Sequence, residues 1–194
     1  MYKRQLPALE QLVLWEPTAP TDGLQRLAEK LGAGALPAVT YLDLYSTHVG
    51  DAGASALAAA LGRGAMPRLK HLYLSNTAIG DSALVALAPV LRRLPALENL
   101  GLGGNSFGDE GIAALVAPPP PAAGAPPTTT GALTKLKELH LWHTQISDAG
   151  CATLAAALDS GSLPALERLF LRGIPASDEV KAAVRRAAAG LLVV

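Results

Sequence analysis

The motif LxxLxL, with Val in place of the first Leu in one copy, occurs six times, starting at Leu9, Val39, Leu69, Leu97, Leu136 and Leu166. Successive starts lie 30, 30, 28, 39 and 30 residues apart. A near-constant period of this size marks a solenoid, because one unit cannot bury its apolar edge alone and does so against its neighbours. In the clearest stretch apolar residues fall at Val39, Leu42 and Leu44, then Val49, then Leu57 and Leu61. Spacings of three and two predict a strand, and the spacing of four predicts a helix. Each copy is therefore expected to give one short strand and one helix, with neighbouring strands paired in parallel in a single curved sheet.

Punctuation recurs with the motif. Repeats start near residues 6, 36, 66, 94, 133 and 163, and five open on an apolar residue followed by proline: Leu6-Pro7, Leu36-Pro37, Met66-Pro67, Leu94-Pro95 and Leu163-Pro164. Proline lacks an amide and disfavours a helical residue before it, so it stops the incoming helix and starts an extended segment. Asp51, Asp81, Asp109, Asp148 and Asp178 stand just before the helical pattern, where a carboxylate caps unpaired amides and meets the positive end of the helix dipole. The competing reading, a ladder of calcium ligands, is weaker, because calcium needs several oxygens converging on one point.

LxxLxL followed by a small polar residue, a β-branched or aromatic residue, a Gly-Asp or Ser-Asp pair and a helix with leucines four apart resembles the leucine-rich repeat. In particular it is similar to the long, ribonuclease-inhibitor-like class of intracellular proteins. The clearest copies are residues 41–61, 73–91, 100–116 and 140–158, and the resemblance runs from about Leu6 to Ala188. It implies one domain over residues 1–194, an α/β open horseshoe of six repeats with a parallel β-sheet on the concave face and α-helices on the convex face. Many family members carry Asn three residues after the third leucine. Here the position holds Pro17, Thr47, Thr77, Asn105, Thr144 and Ile174. Threonine can still bond the backbone at that bend, whereas Pro and Ile cannot, so the terminal copies are expected to be looser. The last copy is also expected to be covered on one side only.

Half of the residues are hydrophobic but only 4% are aromatic, which suits a core of stacked Leu and Ala. Sixteen basic residues balance sixteen acidic ones, which argues against nucleic acid or an anionic membrane as the main partner. A single cysteine, Cys151, leaves no disulfide-bonded cap within the chain and favours a reducing, cytoplasmic setting. The start MYKRQLPALEQ has no apolar leader, and the terminal GLLVV is far too short to span a bilayer.

The fourth copy is interrupted by PPPPAAGAPPTTTGA, residues 118–132. Pro, Ala, Gly and Thr offer little to bury, so this stretch is expected to be a mobile Pro-rich loop, with Pro119 costing its helix a last turn. A PPPP run also suits an SH3-type or profilin-type ligand, but a tolerated insertion is the simpler reading. No hydrolase, zinc, thiol-redox or P-loop signature is present, and the chain is read as no enzyme, with no cofactor and no metal. GLGGN at 101–105 is expected to be backbone left uncovered on the sheet. Cys151 sits at the helix position of Ala54, Leu84 and Ile112 and reads as a core residue. His71, His140 and His143 share one side of the sheet but are spaced too widely for a shared zinc ion.

Sorting each strand by face yields the functional signal. The first, fourth and sixth positions of each motif point into the core, and the third, fifth, seventh and eighth point to the concave side. Those outward positions carry Trp15, Tyr41, Asp43, Tyr45, His71, Tyr73, Glu138, His140, Trp142, His143, Arg168, Phe170 and Arg172. They take both Trp of the chain, three of four Tyr, one of two Phe and three of four His. Aromatics are good strand residues in general. Yet Trp, Tyr and Arg gathered on one preorganised surface are the residue types of interface hot spots. The expected function is protein recognition through the concave face, by a monomer or by part of a longer chain. Two alternatives come from the resemblance: the repeat region of a Ran-type GTPase-activating protein, with a small GTPase as partner, and the sensor fragment of a NOD-like receptor. The former family usually adds an acidic tail, where this chain ends in GLLVV.

Overall fold

The computed structural model describes residues 8–14, 23–116, 133–188 and 190–194. Strand and helix alternate: β1 (Gln11–Val13), α1 (Gly23–Lys30), β2 (Tyr41–Asp43), α2 (Gly50–Gly62), β3 (His71–Tyr73), α3 (Asp81–Leu91), β4 (Asn99–Gly101), α4 (Asp109–Val116), β5 (Glu138–His140), α5 (Asp148–Asp159), β6 (Arg168–Phe170), α6 (Asp178–Ala187) and β7 (Leu192–Val193). The strands lie in one sheet in chain order with every pairing parallel. Helices pack against their sequence neighbours on the other side, giving the expected open horseshoe.

The motif sets the register. Its middle leucines pair strand to strand, Leu12 with Leu42, then Leu72, Leu100, Leu139 and Leu169. Leu44, Leu74, Leu102, Leu141 and Leu171 form a second buried column, and Leu57, Leu87, Leu115 and Leu154 on the helices close over both. Full burial of one such side chain stabilises by about 1.5–3 kcal/mol, so the stacked columns supply most of the cohesion. At the N-terminal end Leu12 and Leu14 are only half-buried. The other end differs from expectation. β7, built from the apolar run after Gly190, pairs with β6, and the Leu171 amide donates to the Val194 carbonyl at 2.7 Å. The sixth repeat is thus covered on both sides, and Leu169 and Leu171 are 0% and 4% exposed.

Two recurring sets of side-chain hydrogen bonds follow the repeats, one local to each bend and one reaching from repeat to repeat. At the bend after each strand, Thr47, Thr77 and Thr144 donate to the carbonyls of Leu44, Leu74 and Leu141 at 2.6, 2.6 and 2.8 Å. Asn105, buried at the same position, reaches into the previous repeat as well. Its amide donates to the carbonyls of Leu102 and Leu74, both at 2.7 Å, and its oxygen accepts from the amides of Thr77 and Ile79 at 3.0 and 3.3 Å. Ile174 fills the position with apolar volume instead and is buried.

The aspartate ladder corrects the capping expectation. These carboxylates stand in the first turn of their helices rather than at the cap, and they accept from the start of the following repeat's helix. Asp51 takes the Gly80 amide at 2.7 Å and the Ser82 hydroxyl. Asp81 takes the amides of Gly108 and Gly111 at 2.8 and 2.7 Å. Asp109 takes the Ser147 amide and hydroxyl at 2.8 and 2.5 Å and the Gly150 amide at 3.0 Å. Asp148 takes the Ser177 amide at 2.6 Å. Glycine two residues into the helix makes the closest of these approaches feasible: a Cβ on Gly111 would lie 2.8 Å from Asp81 Oδ1. Where that place holds Ala83 or Val180, no carboxylate bonds its amide. Guanidinium groups serve the opposite helix ends. Arg63 donates to the Ala28 and Leu31 carbonyls that end α1, and Arg92 to those of Leu115 and Ala114 at the end of α4.

Residues 118–132 and Trp15 lie outside the described residues. The helix before the insertion, α4, has 8 described residues against 13 in α2 and 12 in α5.

Candidate partner-binding face

Parallel register lines up the fifth motif position across the concave side as Asp43, Tyr73, Gly101, His140 and Phe170. The rings in and beside this row touch. Tyr41 lies 5.8 Å from His71 and 5.4 Å from Tyr73, Tyr73 meets His140 edge to face at 6.4 Å, and His140 stacks on Phe170 at 4.3 Å with 14° between planes. Gly101 makes the path continuous, since a Cβ there would lie 2.7 Å from Tyr73 Cδ1. Aromatic pairs in such geometry stabilise by about 0.5–1.5 kcal/mol beyond their buried area, so the row is rigid before any partner arrives.

The seventh position gives a second row. Tyr45 is 44% exposed, Ser75 is buried, and the Trp142 indole lies over the backbone of Gly103 and Gly104. The glycine stretch is therefore not the uncovered backbone that GLGGN suggests. Gly101 and Gly103 are buried, the first beneath Tyr73 and the second beneath Trp142, because a residue without a side chain leaves room for its neighbours' rings. The eighth position is a turn: Ser46, Asn76, Gly104, His143 and Gly173 all have φ between 51° and 73°. Glycine adopts that left-handed backbone freely and other residues rarely do. This turn places the exposed His143 ring edge to face with Trp142 at 5.8 Å and over Gly173.

Charge on the face is largely paired. Glu138 binds Arg168 on one side and lies 3.5 Å from His140 Nε2 on the other. That nitrogen is buried without a hydrogen-bond partner among the described residues. Burial holds the His140 imidazole below its ordinary pKa against the opposing pull of Glu138. Asp43 accepts from the Tyr45 amide at 2.9 Å and from the Tyr41 hydroxyl at 3.3 Å. Burial, then Asp43, raises the Tyr41 phenol, and burial, then Glu138 and Asp43, raises that of Tyr73, so both remain proton donors. Arg172 is exposed at the end of the second row.

Four stretches of the chain, residues 36–58, 66–88, 95–116 and 132–155, match the family model described as Leucine Rich repeat. These four repeats are leucine-rich repeats. Among solved structures, the leiomodin-1 actin-binding site 2 aligns over 66% of this chain and 69% of its own at a TM-score of 0.52, with 14% identity. An internalin C2 from Listeria monocytogenes aligns over 95% and 80% at a TM-score of 0.48, with 22% identity. No curated protein matches the chain. At 14% identity the likeness to the leiomodin-1 structure speaks for the fold alone.

Within the leucine-rich repeat frame, twelve of the thirteen residues singled out by strand alternation lie among the described residues, and Trp15 does not. Tyr41, His71, Tyr73, His140 and Phe170 come together in one ring path, and Trp142 with His143 forms a second group. Tyr45, Arg168 and Arg172 are exposed around them. The contribution of Gly101 and Gly103 escaped sequence reasoning, although its signal was visible in two glycines placed in rows that elsewhere carry rings. No group of three or more His, Cys, Asp or Glu among the described residues is arranged to hold a metal ion. Cys151 is buried in the core, as its helix position predicts, and burial pushes its thiol up to about 11. No helix among the described residues is long and apolar enough to cross a membrane.

Proposed function

We propose that this leucine-rich repeat chain is a non-catalytic module of the ribonuclease-inhibitor-like class, acting in the cytoplasm, that binds a protein partner on its concave strand face. The carrying observation is the pre-stacked path from Tyr41 through Tyr73 and His140 to Phe170, flanked by the exposed Tyr45 and the half-buried Trp142. None of these rings belongs to the leucine core, so their grouping serves the surface. Rigid aromatics bind at little cost in side-chain entropy, and the paired charges around them set orientation more than affinity. Repeats of 28 to 30 residues, apart from the 39-residue fourth, with α-helical convex sides support the class.

The test is affinity capture with three immobilised forms: the natural chain, a Tyr45→Ala/Trp142→Ala variant, and a convex-face Val85→Glu variant. A protein retained by the first and third but lost from the second supports the reading. Loss only from the convex variant refutes it.

A further inference from the structure

A cleft of about 240 Å³ lies at the C-terminal end of the solenoid, between the turn after β6, the face of α6 from Asp178 to Arg185, and β7. Three cationic side chains line it, Arg172, Lys181 and Arg185, against one acidic side chain, Asp178, while Leu171, Gly173, Val193 and Val194 supply the rest of the wall. The excess of cations is local, since the whole chain carries no net formal charge. Two features leave these charges available. Lys181 spends one donor on the Ile174 carbonyl at 3.2 Å, but Arg172 and Arg185 have no side-chain partner among the described residues. Asp178, the last rung of the aspartate ladder, has no following helix among the described residues and forms no salt bridge with Lys181 or Arg185.

We propose that this cleft binds an acidic peptide segment, one or two of whose carboxylates sit between Arg172, Lys181 and Arg185 with the peptide's aliphatic stems against Leu171 and Val193. The volume is below the roughly 300–1,000 Å³ typical of pockets that enclose a drug-sized ligand, and so suits one or two side chains rather than a cofactor. Guanidinium groups are forked donors matched to carboxylates, and unpaired ones gain most from a partner that brings its own apolar contact. The cleft shares Arg172 with the edge of the concave face, but none of the aromatic residues that carry the concave-face reading lines it, so the inference goes beyond that reading.

The experiment is fluorescence anisotropy of a labelled oligoglutamate peptide titrated with the full chain, with an oligoglutamine peptide as control. Oligoglutamate is expected to bind, more weakly as salt rises, and oligoglutamine not to bind. Arg172→Gln/Arg185→Gln should weaken binding by about tenfold or more. Both residues are exposed and outside the core, so circular dichroism should show the variant folded. Trp142→Ala should leave peptide binding unchanged, which separates failure of the cleft from failure of the concave face. Absent binding, equal binding by the double variant, equal binding of oligoglutamine, or displacement of the peptide by an equal concentration of inorganic phosphate would each overturn the proposal.

Discussion

Tyr73 and His140 stand on strands that are not neighbours, yet their rings meet at 6.4 Å across Gly101. The intervening strand contributes a gap in place of a side chain, and the two flanking rings close it. Trp142 does the same one row further on, lying over Gly103.

Placing a methyl group under Trp142 should therefore lift it. In a Trp15→Phe background, where Trp142 is the sole indole, Gly103→Ala is expected to shift tryptophan emission to the red and to cost about 1–3 kcal/mol in urea unfolding. Unchanged emission would mean that the indole does not rest on Gly103.

The aspartate ladder predicts unequal effects from equal substitutions. Asp81→Ala leaves the amides of Gly108 and Gly111 without their acceptor, at an expected cost of about 1–3 kcal/mol, whereas Asp178→Ala removes no side-chain hydrogen bond among the described residues and should be nearly neutral. Matching urea midpoints for the two variants would contradict the inter-repeat role.

Asn105 satisfies four backbone groups in two repeats. Asn105→Ala is expected to destabilise by about 3 kcal/mol or more, and Asn105→Thr, which can restore the local bond seen at Thr77 and Thr144, by less. Equal losses would assign the effect to volume instead of hydrogen bonding.

His140, packed among Tyr73, Phe170, Glu138 and Arg168, gives a pH dependence. Burial lowers its pKa in the folded state, so near its ordinary value of about 6.5 the unfolded chain holds more protons than the native one. Its contribution is thus complete above about pH 6.5 and is lost as pH falls through the depressed folded value. The urea midpoint should drop between about pH 7 and pH 5, and His140→Phe should flatten that drop. Asp109 acts at lower pH with the same sign. Burial pushes its carboxyl up, but hydrogen bonds from Ser147 and Gly150 outweigh this and hold it below the usual range. A slope identical in natural and His140→Phe proteins would count against the buried imidazole.

For binding, Trp142→Ala and Tyr45→Ala are each expected to cost about 2 kcal/mol or more of partner affinity with little change in folding stability. Isothermal titration with a captured partner measures the first quantity and urea unfolding the second. Affinity unchanged by either substitution would remove the concave face from consideration.

Much of this architecture is legible in the letters of the chain. Leu12, Leu42 and Leu72 announce their pairing through a 30-residue period, and strict alternation along each strand assigns the outward residues. What stays hidden is whatever depends on the neighbouring repeat. Nothing local indicates that Asp109 serves the helix after its own, or that Tyr73 leans over Gly101, because both follow from side-chain reach between strands distant in sequence. β7 was hidden for a different reason: two residues of strand carry too little periodicity to distinguish them from a tail.

The aspartate ladder also gives the stack a direction. Each carboxylate reaches forward, so the start of every helix from α3 to α6 depends on the repeat before it. Peeling a repeat from the C-terminal side frees an anion into water, a mild loss. Removing one from the N-terminal side strips amides at the next helix start of their acceptor, and the loss passes forward. Unravelling is thereby resisted unequally from the two ends, in a molecule whose repeats look alike.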